Sequence, residues 1–437
     1  MNVMNKINQA AGKRAQGPGP RRVWTAAAAV ALALAIAAPA LYLHHTAARR
    51  SLKKRFRSEL ETLHKRYRFP GATAAYILPD GTVEVCAAGL ADRELTLPMT
   101  PRTRMLAASI GKTFVGATAL SLAREGVLDL DGPIEKWLGS SPWFSRLPGG
   151  GGITLRQLLT HRAGIANHVD TEGFKRAFRE RRRTPDAPLS PEELIGFVLN
   201  PEAPRTPKGR FHYSDTGYIL AGLVIEAAAG RPYYDEVNKR FLAPLRLTLT
   251  SPSDRRDIPG LAAGYCSPEN PFGLPAKTTL RPGLMAWHPG VEWTGGGLVS
   301  NPGDLVVWAK ALYEGRAMKG DYLDMLLDAA PVESHSGKSY GIGVAVQENG
   351  FFGTTWGHSG WIPGYCSSMR YYPAYGVAVA FQINTDIGIA DGSTEVFNDM
   401  ERRLAMIVIK SLDEVAGTLL TGQTEQIIHT KKKRRTP

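Results

Sequence analysis

Cysteine is scarce in this chain, which contains only Cys86, Cys266 and Cys366 in 437 residues. An odd number of cysteines at such wide spacing excludes a disulfide framework and a zinc-binding motif. Two interpretations remain open: one pair bridges in an oxidising compartment, or all three are ordinary buried or partly buried thiols.

Metal-binding spacings are also missing. The histidines that invite such an interpretation form no H-x-H or H-E-x-x-H pattern. They are His161, His168, His212 and His288. We therefore expect neither a metal ion nor another cofactor.

Acidic residues are missing from the first 57 positions, which hold eleven Lys or Arg, and five more basic residues form the run 431–435. The remaining 37 basic residues face 40 acidic ones, so the net charge of +13 belongs to the two ends. Basic ends are typical of contact with anionic lipid headgroups. A nucleic-acid-binding arm is the less favoured alternative, because no helix-turn-helix, zinc finger or aromatic-basic stripe accompanies the charge.

Charge is absent altogether from Val23–Leu43, a run rich in Ala and Leu that follows two arginines. A helix of that length, at about 1.5 Å per residue, spans the hydrocarbon core of a bilayer. The length favours an uncleaved signal anchor, while Ala38-Pro39-Ala40 resembles the cleavage site of a signal peptide. Basic residues on both sides give no clean orientation by the positive-inside rule. Both interpretations place the rest of the chain outside the cytoplasm, in the periplasm.

Globular patterning begins near Leu60, after a basic linker over 44–59. A hairpin turning at Pro79-Asp80-Gly81 comes first, helices dominate from about 109 to 280, and strands and a final helix follow. One antiparallel sheet drawn from both ends of the chain, flanked by helices and carrying an all-α lobe as an insert, explains this order. We predict one α/β-plus-α domain over 60–415. A basic segment over 1–22 and the apolar run over 23–43 precede it, and a basic tail over 416–437 follows it.

The late elements are expected as strands over 340–347, 366–372 and 377–384 and a helix over 394–412. The stretch 176–183 is strongly basic and is interpreted as a solvated helix face.

Ser109 and Lys112 form an S-x-x-K tetrapeptide at the start of a predicted helix that ends near Gly126. Residues at i and i+3 share a helix face, which places the Ser109 hydroxyl beside the Lys112 amine. A serine becomes a nucleophile when a neighbour takes its proton, and a desolvated lysine can do so. Alone the tetrapeptide is a weak signal, because a capping serine followed by a surface lysine has the same pattern.

Two competing motifs fail in these regions. Gly111-Lys112-Thr113 resembles the end of a phosphate-binding loop, but Leu106 stands where that motif needs its first glycine. Gly357-His358-Ser359-Gly360 lacks the last glycine of a G-x-S-x-G elbow, because Trp361 stands there.

Tyr213 and His358 are further candidates. A phenol in Tyr213-Ser214-Asp215 that meets an ammonium group can be stabilised as a phenolate and act as a base. The edge of a strand carrying His358-Ser359-Gly360 can offer a backbone N–H to an oxyanion, and the glycine lets a substrate approach closely. A core tyrosine and a hydrogen-bonded strand histidine are the ordinary alternatives.

In this order and spacing, the three motifs resemble the penicillin-recognising serine hydrolases, which comprise class C β-lactamases, D-alanyl-D-alanine carboxypeptidases and related esterases. That family has S-x-x-K, then Y-x-N, then a K-T-G or H-x-G strand. The likeness runs from about Leu60 to Leu412. Further segments that carry it are Ile153–Gly164, Phe211–Glu226, Gly295–Ser300 and Gly357–Tyr365.

The resemblance implies a role for each matched residue. Ser109 attacks a carbonyl and forms an acyl-enzyme, while Lys112 and Tyr213 handle the protons. The backbone N–H groups of Ser109 and Trp361 form the oxyanion hole, beside Gly360.

Two positions depart from the family pattern. Asp215 replaces the asparagine of Y-x-N, and an ionised carboxylate cannot donate to a substrate carbonyl as an amide does. Asp215 can instead pair with Lys112, which would make the lysine a poorer base, or with a cationic substrate group. His358 replaces the lysine of many β-lactamases and carries at most partial charge near neutral pH, which weakens recognition of a substrate carboxylate.

The sequence thus predicts a serine hydrolase acting on an ester or on a D-amino-acid amide or cell-wall peptide, with weak β-lactamase action at most. A non-catalytic relative that senses cell-wall fragments or a partner protein is the alternative, and Asp215 keeps it open. The expected partners are the substrate and the membrane, with no nucleic acid.

Overall fold

The computed structural model describes residues 47–199, 208–267 and 269–433. The basic segment over 1–22 and the apolar run over 23–43 lie outside the described residues. Among the helices within those three ranges, none combines the length and the apolar character needed to cross a membrane. The chain divides into two compact units, Arg55–Glu414 and a second that joins Met1–Lys54 with Val415–Pro437. The described residues of the second unit, 47–54 and 415–433, are helical.

A nine-stranded antiparallel sheet forms the centre of the Arg55–Glu414 unit. Its strands, in spatial order, are Leu97–Pro98, Val83–Asp92, Gly71–Ile77, Val377–Ile383, Tyr365–Tyr372, Gly353–Ile362, Ala345–Gly350, Lys338–Tyr340 and Ala330–Pro331. Gly71–Ile77, the first strand of the sheet in the sequence, pairs with Val377–Ile383, the last one. The prediction of one antiparallel sheet built from both ends of the chain is confirmed.

Both faces of the sheet are covered, which explains why the adjacent strands Gly71–Ile77 and Val377–Ile383 are buried at every position. On one face the ring of Phe56 lies 4.9 Å from that of Tyr76, so the helical residues 55–67 of this unit pack there. On the opposite face the helix Pro302–Tyr313 packs, with Tyr313 placed 5.8 Å from Tyr371. Packing therefore includes residues before the predicted domain start at Leu60.

The insert between the early and late strands is mainly helical. Its helices are Lys112–Arg124, Glu135–Leu138, Leu155–Leu159, Glu172–Arg181, Pro191–Gly196, Asp215–Ala229 and Tyr233–Val237. Short 3-10 turns connect them at Ala108–Gly111, Phe144–Arg146, Gly150–Gly152 and His168–Asp170, and Asn238–Leu242 is a π-helical turn. Two small sheets follow, one of Met105–Leu106, Leu298–Ser300 and Ser251–Pro252, the other of Thr279–Arg281 and Leu284–Met285. Further 3-10 turns lie at Pro289–Val291 and Trp293–Gly295, and a short helix at Leu323–Leu327.

Three sequence expectations need refinement. The strand expected over 340–347 is two strands, because the chain turns between Tyr340 and Ala345, where Gly343 has a φ of 71°. The last helix does not end at Leu412 but runs over Val396–Lys433. All three cysteines are buried free thiols, so no two of them are bridged in this structure.

Candidate active site

Ser109 stands at a conformationally demanding point of the chain. It lies in the turn Ala108–Gly111, which leads directly into the helix Lys112–Arg124. Ala108 has a φ of 49°, a strained value for a residue with a side chain, and such strain is common at functional sites. A Cβ on Gly296 would lie 2.5 Å from the Ala108 carbonyl oxygen, so only glycine fits behind this turn.

Lys112 is fully buried and makes three polar contacts through its Nζ atom. It donates to Ser109 Oγ at 3.0 Å, to Asp215 Oδ1 at 2.5 Å, and to the carbonyl oxygen of Gly295. Three donors thus meet three acceptors, which is the full capacity of an ammonium group. Of the two partners that the sequence left open for Asp215, Lys112 is the one that it contacts in the structure.

The charges around Lys112 decide its protonation. Burial alone favours the neutral amine, but the carboxylate of Asp215 and the phenol of Tyr213 outweigh it and raise the pKa of Lys112 above its ordinary value. Lys112 therefore holds its proton at neutral pH, and it is not a free base in the resting site.

Tyr213 lies next to Ser109 and Lys112. Its side chain interacts with both, and Lys112 Nζ lies 4.9 Å from the centre of its ring. Burial raises the pKa of Tyr213, while the ammonium of Lys112 opposes that shift. The phenol is accordingly protonated at rest, and the ammonium stabilises the phenolate whenever it forms.

His161 holds the segment that carries Tyr213. Its ring lies 4.1 Å from the ring of Tyr213, and its Nδ1 accepts from the backbone N–H of Ser214 at 3.1 Å. Its carbonyl accepts from the backbone N–H of His212, and its φ of 56° is a second strained value near the site.

Burial lowers the pKa of His161 well below its ordinary value, so the ring is neutral. Sequence reasoning considered His161 only as a metal ligand and missed this positioning role. The H-R-A-G segment that resembles the family was the signal for it.

His358 is neutral and fixed by two hydrogen bonds. Its Nδ1–H donates to the carbonyl oxygen of Ser359 at 2.5 Å, and its Nε2 accepts from the hydroxyl of Tyr340 at 2.8 Å. Burial lowers the pKa of His358 to about 3. Its side chain therefore offers no positive charge to a substrate carboxylate at neutral pH.

Gly360 lets its strand pass close to the segment before Ser109. A Cβ at Gly360 would lie 2.3 Å from the carbonyl oxygen of Ala107. The next residue, Trp361, is 41% exposed, and its indole N–H donates to Asp386 at 3.1 Å. Gly360 and Trp361 thus lie at the edge of the cleft, where the sequence expected them.

Asn167 is a member of the site that sequence reasoning missed. Its Oδ1 accepts from the backbone N–H of Asp215 at 3.1 Å, which fixes the orientation of the amide. In the described part of the chain its Nδ2 group has no hydrogen-bond partner, and the residue lines the same groove as Ser109 and Tyr213. An amide donor is therefore available beside Asp215, although not at position 215 itself.

Ser109 lies where two cavities meet. A wide groove on one side is lined by Tyr213, His358 and Gly360. A narrower pocket on the other side has aromatic walls and two carboxyl groups. Its aromatic residues are Phe174, Phe178, Phe272, Trp287 and Trp361, and its carboxyl groups belong to Asp215 and Glu292.

The structure therefore brings together all seven residues expected at the site. Ser109, Lys112, Tyr213 and Asp215 form its centre, and His358, Gly360 and Trp361 line the adjoining groove. Their catalytic roles stay a prediction. Within the described ranges, no group of three or more His, Cys, Asp or Glu side chains is arranged to hold a metal ion.

Residues 56–401 match the family model described as Beta-lactamase. Penicillin-binding protein 4* of Bacillus subtilis (strain 168) is 24% identical over 338 residues, which cover 73% of this chain and 69% of that protein.

Solved structures resemble the fold over most of their length. A D-stereospecific amidohydrolase from Streptomyces sp. is 28% identical with a TM-score of 0.65, over 76% of this chain and 94% of that one. The D-amino acid amidase from Ochrobactrum anthropi SV3, complexed with D-phenylalanine, is 24% identical with a TM-score of 0.68, over 83% and 99% of the two chains. The second likeness shows the fold alone.

Proposed function

The chain belongs to the Beta-lactamase family of serine hydrolases, and on that basis we propose that it cleaves amides or esters of D-amino acids through an acyl-enzyme on Ser109. The observation that carries this proposal is the meeting of three groups distant in sequence. The Ser109 hydroxyl accepts from the Lys112 ammonium, and the Tyr213 phenol interacts with both groups, at the junction of two cavities.

Tyr213 is the base in this proposal, and Lys112 is its electrostatic support. In the reactive form the phenol has lost its proton, and the phenolate is stabilised by the ammonium of Lys112. As Ser109 Oγ attacks the substrate carbonyl carbon, its proton passes to the phenolate and the carbonyl oxygen becomes an oxyanion. Tyr213 then returns the proton to the leaving amine or alcohol, and the acyl group stays on Ser109.

Deacylation repeats the same steps with water. The phenolate takes a proton from the water molecule that attacks the acyl carbon, and the phenol returns it to Ser109 Oγ as the acid product leaves. The backbone N–H groups of Ser109 and Trp361 are the proposed donors to the oxyanion in both halves of the reaction.

Two features favour a D-amino-acid derivative over a penicillin. The similar Streptomyces protein is described as a D-stereospecific amidohydrolase. Penicillins carry a carboxylate, whereas the uncharged His358 and the carboxylate of Asp215 give that group little to bind. The aromatic pocket beside Ser109 further supports a substrate with an aromatic or other large apolar side chain.

Hydrolysis of D- and L-phenylalanine amide by the purified chain tests the proposal. We expect turnover of the D-amide, slower turnover of the L-amide, and none with Ser109→Ala. If the protein cleaves neither amide nor the corresponding methyl esters, the result would favour the alternative, a non-catalytic binding module.

The membrane anchor over 23–43 and a periplasmic hydrolase domain are also part of the proposal. They are supported by the uncharged 21-residue run and the basic residues around it. Carbonate extraction of membranes and protease protection of the intact chain test both points. Release of the chain by carbonate, or its full protection in spheroplasts, would contradict them.

A further inference from the structure

The pocket beside Ser109 has walls suited to an aromatic group. Phe178 stacks at 5.6 Å from Phe174 and meets Trp287 edge-on at 5.6 Å, and Phe272 lies 6.4 Å from Trp361. All except Trp361 are at least nine-tenths buried, so the walls are held by the core. An aromatic side chain entering here would meet ring faces and edges on several sides.

Two carboxyl groups interrupt this apolar lining, and they differ in their partners. Asp215 forms an ion pair with Lys112, so the charge of its carboxylate is already compensated. Glu292 is partly buried, and no hydrogen bond or ion pair involves its carboxyl group within the described part of the chain. An unpaired carboxyl in an aromatic pocket is costly unless a ligand supplies its partner.

The charges near Glu292 point to a cationic ligand. Lys112 and Asp215 are the groups whose charges act on it, and they form a neutral pair. His168, which also lines the pocket, is neutral because burial lowers its pKa to about 4. Tyr234, on a neighbouring helix, is protonated because burial raises its pKa. Nothing else charged lines this pocket in the described residues, so an incoming cation would find Glu292 free.

We propose that Glu292 accepts a substrate ammonium group, so that the pocket selects aromatic amino-acid derivatives with a free amine over those without one. The inference rests on the proposed function, since the ammonium of an amino-acid amide or ester lies one carbon from the carbonyl that Ser109 attacks. Burial raises the pKa of Glu292 to about 8 in the empty pocket, and the ammonium of a ligand would stabilise its ionised form. The indole N–H of Trp287, buried and without a partner in the described residues, is a second polar group left for a ligand.

A pair of substrates that differ only in the amine tests this role. D-Phenylalanine methyl ester carries the ammonium, and methyl 3-phenylpropionate has the same ring, acyl chain and leaving group without it. We expect Glu292→Gln to lower kcat/KM for the first ester by about 10- to 100-fold, as for a lost hydrogen bond between charged groups. For the second ester we expect a change below about twofold.

Glu226→Gln is the matched control. Glu226 is also a carboxyl whose pKa is raised by burial, but it accepts from the backbone N–H of Tyr233 and does not line the pocket. We expect this variant to hydrolyse both esters as the wild type does.

The outcomes separate this role from the proposed function. Equal losses for both esters in Glu292→Gln, or no loss for either, would overturn the role of Glu292 while hydrolysis through Ser109 stands. A wild-type protein that cleaves methyl 3-phenylpropionate as well as the amino ester would overturn it too. A wild-type protein that cleaves neither ester would overturn both proposals.

Discussion

The carboxylate of Asp215 lies 2.5 Å from the ammonium of Lys112, in the position where related hydrolases have an asparagine amide. This contact joins two residues that stand 103 positions apart in the sequence. The carboxylate compensates the positive charge of the buried lysine, and it also keeps the lysine protonated. The site is thereby arranged differently from one in which a neutral lysine accepts the proton of the serine.

Replacing Asp215 by Asn tests that arrangement. The amide oxygen can still accept from Lys112, but the negative charge that raises the lysine pKa is gone, so that pKa should fall. We expect the acidic limb of the pH dependence of kcat/KM to move to lower pH. The restored amide donor should also increase acylation by a fluorescent penicillin, by about tenfold or more.

Labelling of Asp215→Asn with fluorescent penicillin, followed over time on gels, measures the second effect. Asp215→Ala is its control, since it removes the charge without supplying the donor. Equal labelling rates in the wild type and Asp215→Asn would show that the carboxylate is not what keeps penicillins out.

The pH dependence of the wild type follows from the protonation of the two candidate bases. Lys112 has a raised pKa, and burial raises that of Tyr213 as well, so both carry their protons at neutral pH. Because the reactive form requires loss of a proton, kcat/KM should still increase above about pH 8. A stopped assay with an ammonium-free ester avoids titration of the substrate. A rate that falls above neutral pH would contradict this assignment.

Tyr213→Phe keeps the ring against His161 and removes the phenol oxygen. We expect kcat to fall by about 100-fold or more, as for the loss of a general base, with little change in the melting temperature. The alkaline increase in rate should disappear in the same variant. A loss below about threefold, or an unchanged pH profile, would exclude Tyr213 as the base.

Glu292 should affect the pH dependence of the protein's stability as well as its substrate specificity. Its pKa is about 8 in the folded protein against an ordinary value of 4.5. Between those values the folded state holds a proton that the unfolded state has lost, so the free energy of unfolding decreases as the pH rises through this window. Glu292→Gln has no such proton. Its melting temperature relative to the wild type should therefore increase by a few degrees from about pH 5 to about pH 9.

Differential scanning fluorimetry in a series of buffers measures this difference. Glu226→Gln serves as the comparison, because burial also raises the pKa of Glu226 but the backbone hydrogen bond from Tyr233 opposes that shift, so the same trend should be smaller. A constant offset between Glu292→Gln and the wild type at all pH values would mean that the Glu292 carboxyl does not titrate in this window.

The sequence was sufficient for the contact between Ser109 and Lys112 because that signal is local, whereas the approach of Tyr213 and Asp215 was implied by the resemblance to the family. Ser109 and Lys112 are one helical turn apart, so their contact follows from helix geometry. The hairpin and the late strands follow from alternating apolar residues and turn signals. The pairing of Gly71–Ile77 with Val377–Ile383 was expected only in outline, because register depends on contacts between distant segments.

The aromatic pocket could not be predicted in the same way. The stretch after Phe174 is so basic that it was interpreted as a solvated face, and the helix Glu172–Arg181 does expose arginines. The same helix buries Phe174 and Phe178, four residues apart, against Phe272 from a distant loop. Glu292 was missed for a related reason, since its burial and its lack of a partner exist only in the folded chain.

Peptide mapping after reaction with a fluorophosphonate probe, which phosphonylates activated serine hydroxyls, measures directly whether Ser109 is the nucleophile. We expect stoichiometric labelling of Ser109 in the wild type and none in Ser109→Ala. We also expect much slower labelling in Tyr213→Phe. An unlabelled wild-type protein, or a label on another residue that persists in Ser109→Ala, would contradict these expectations.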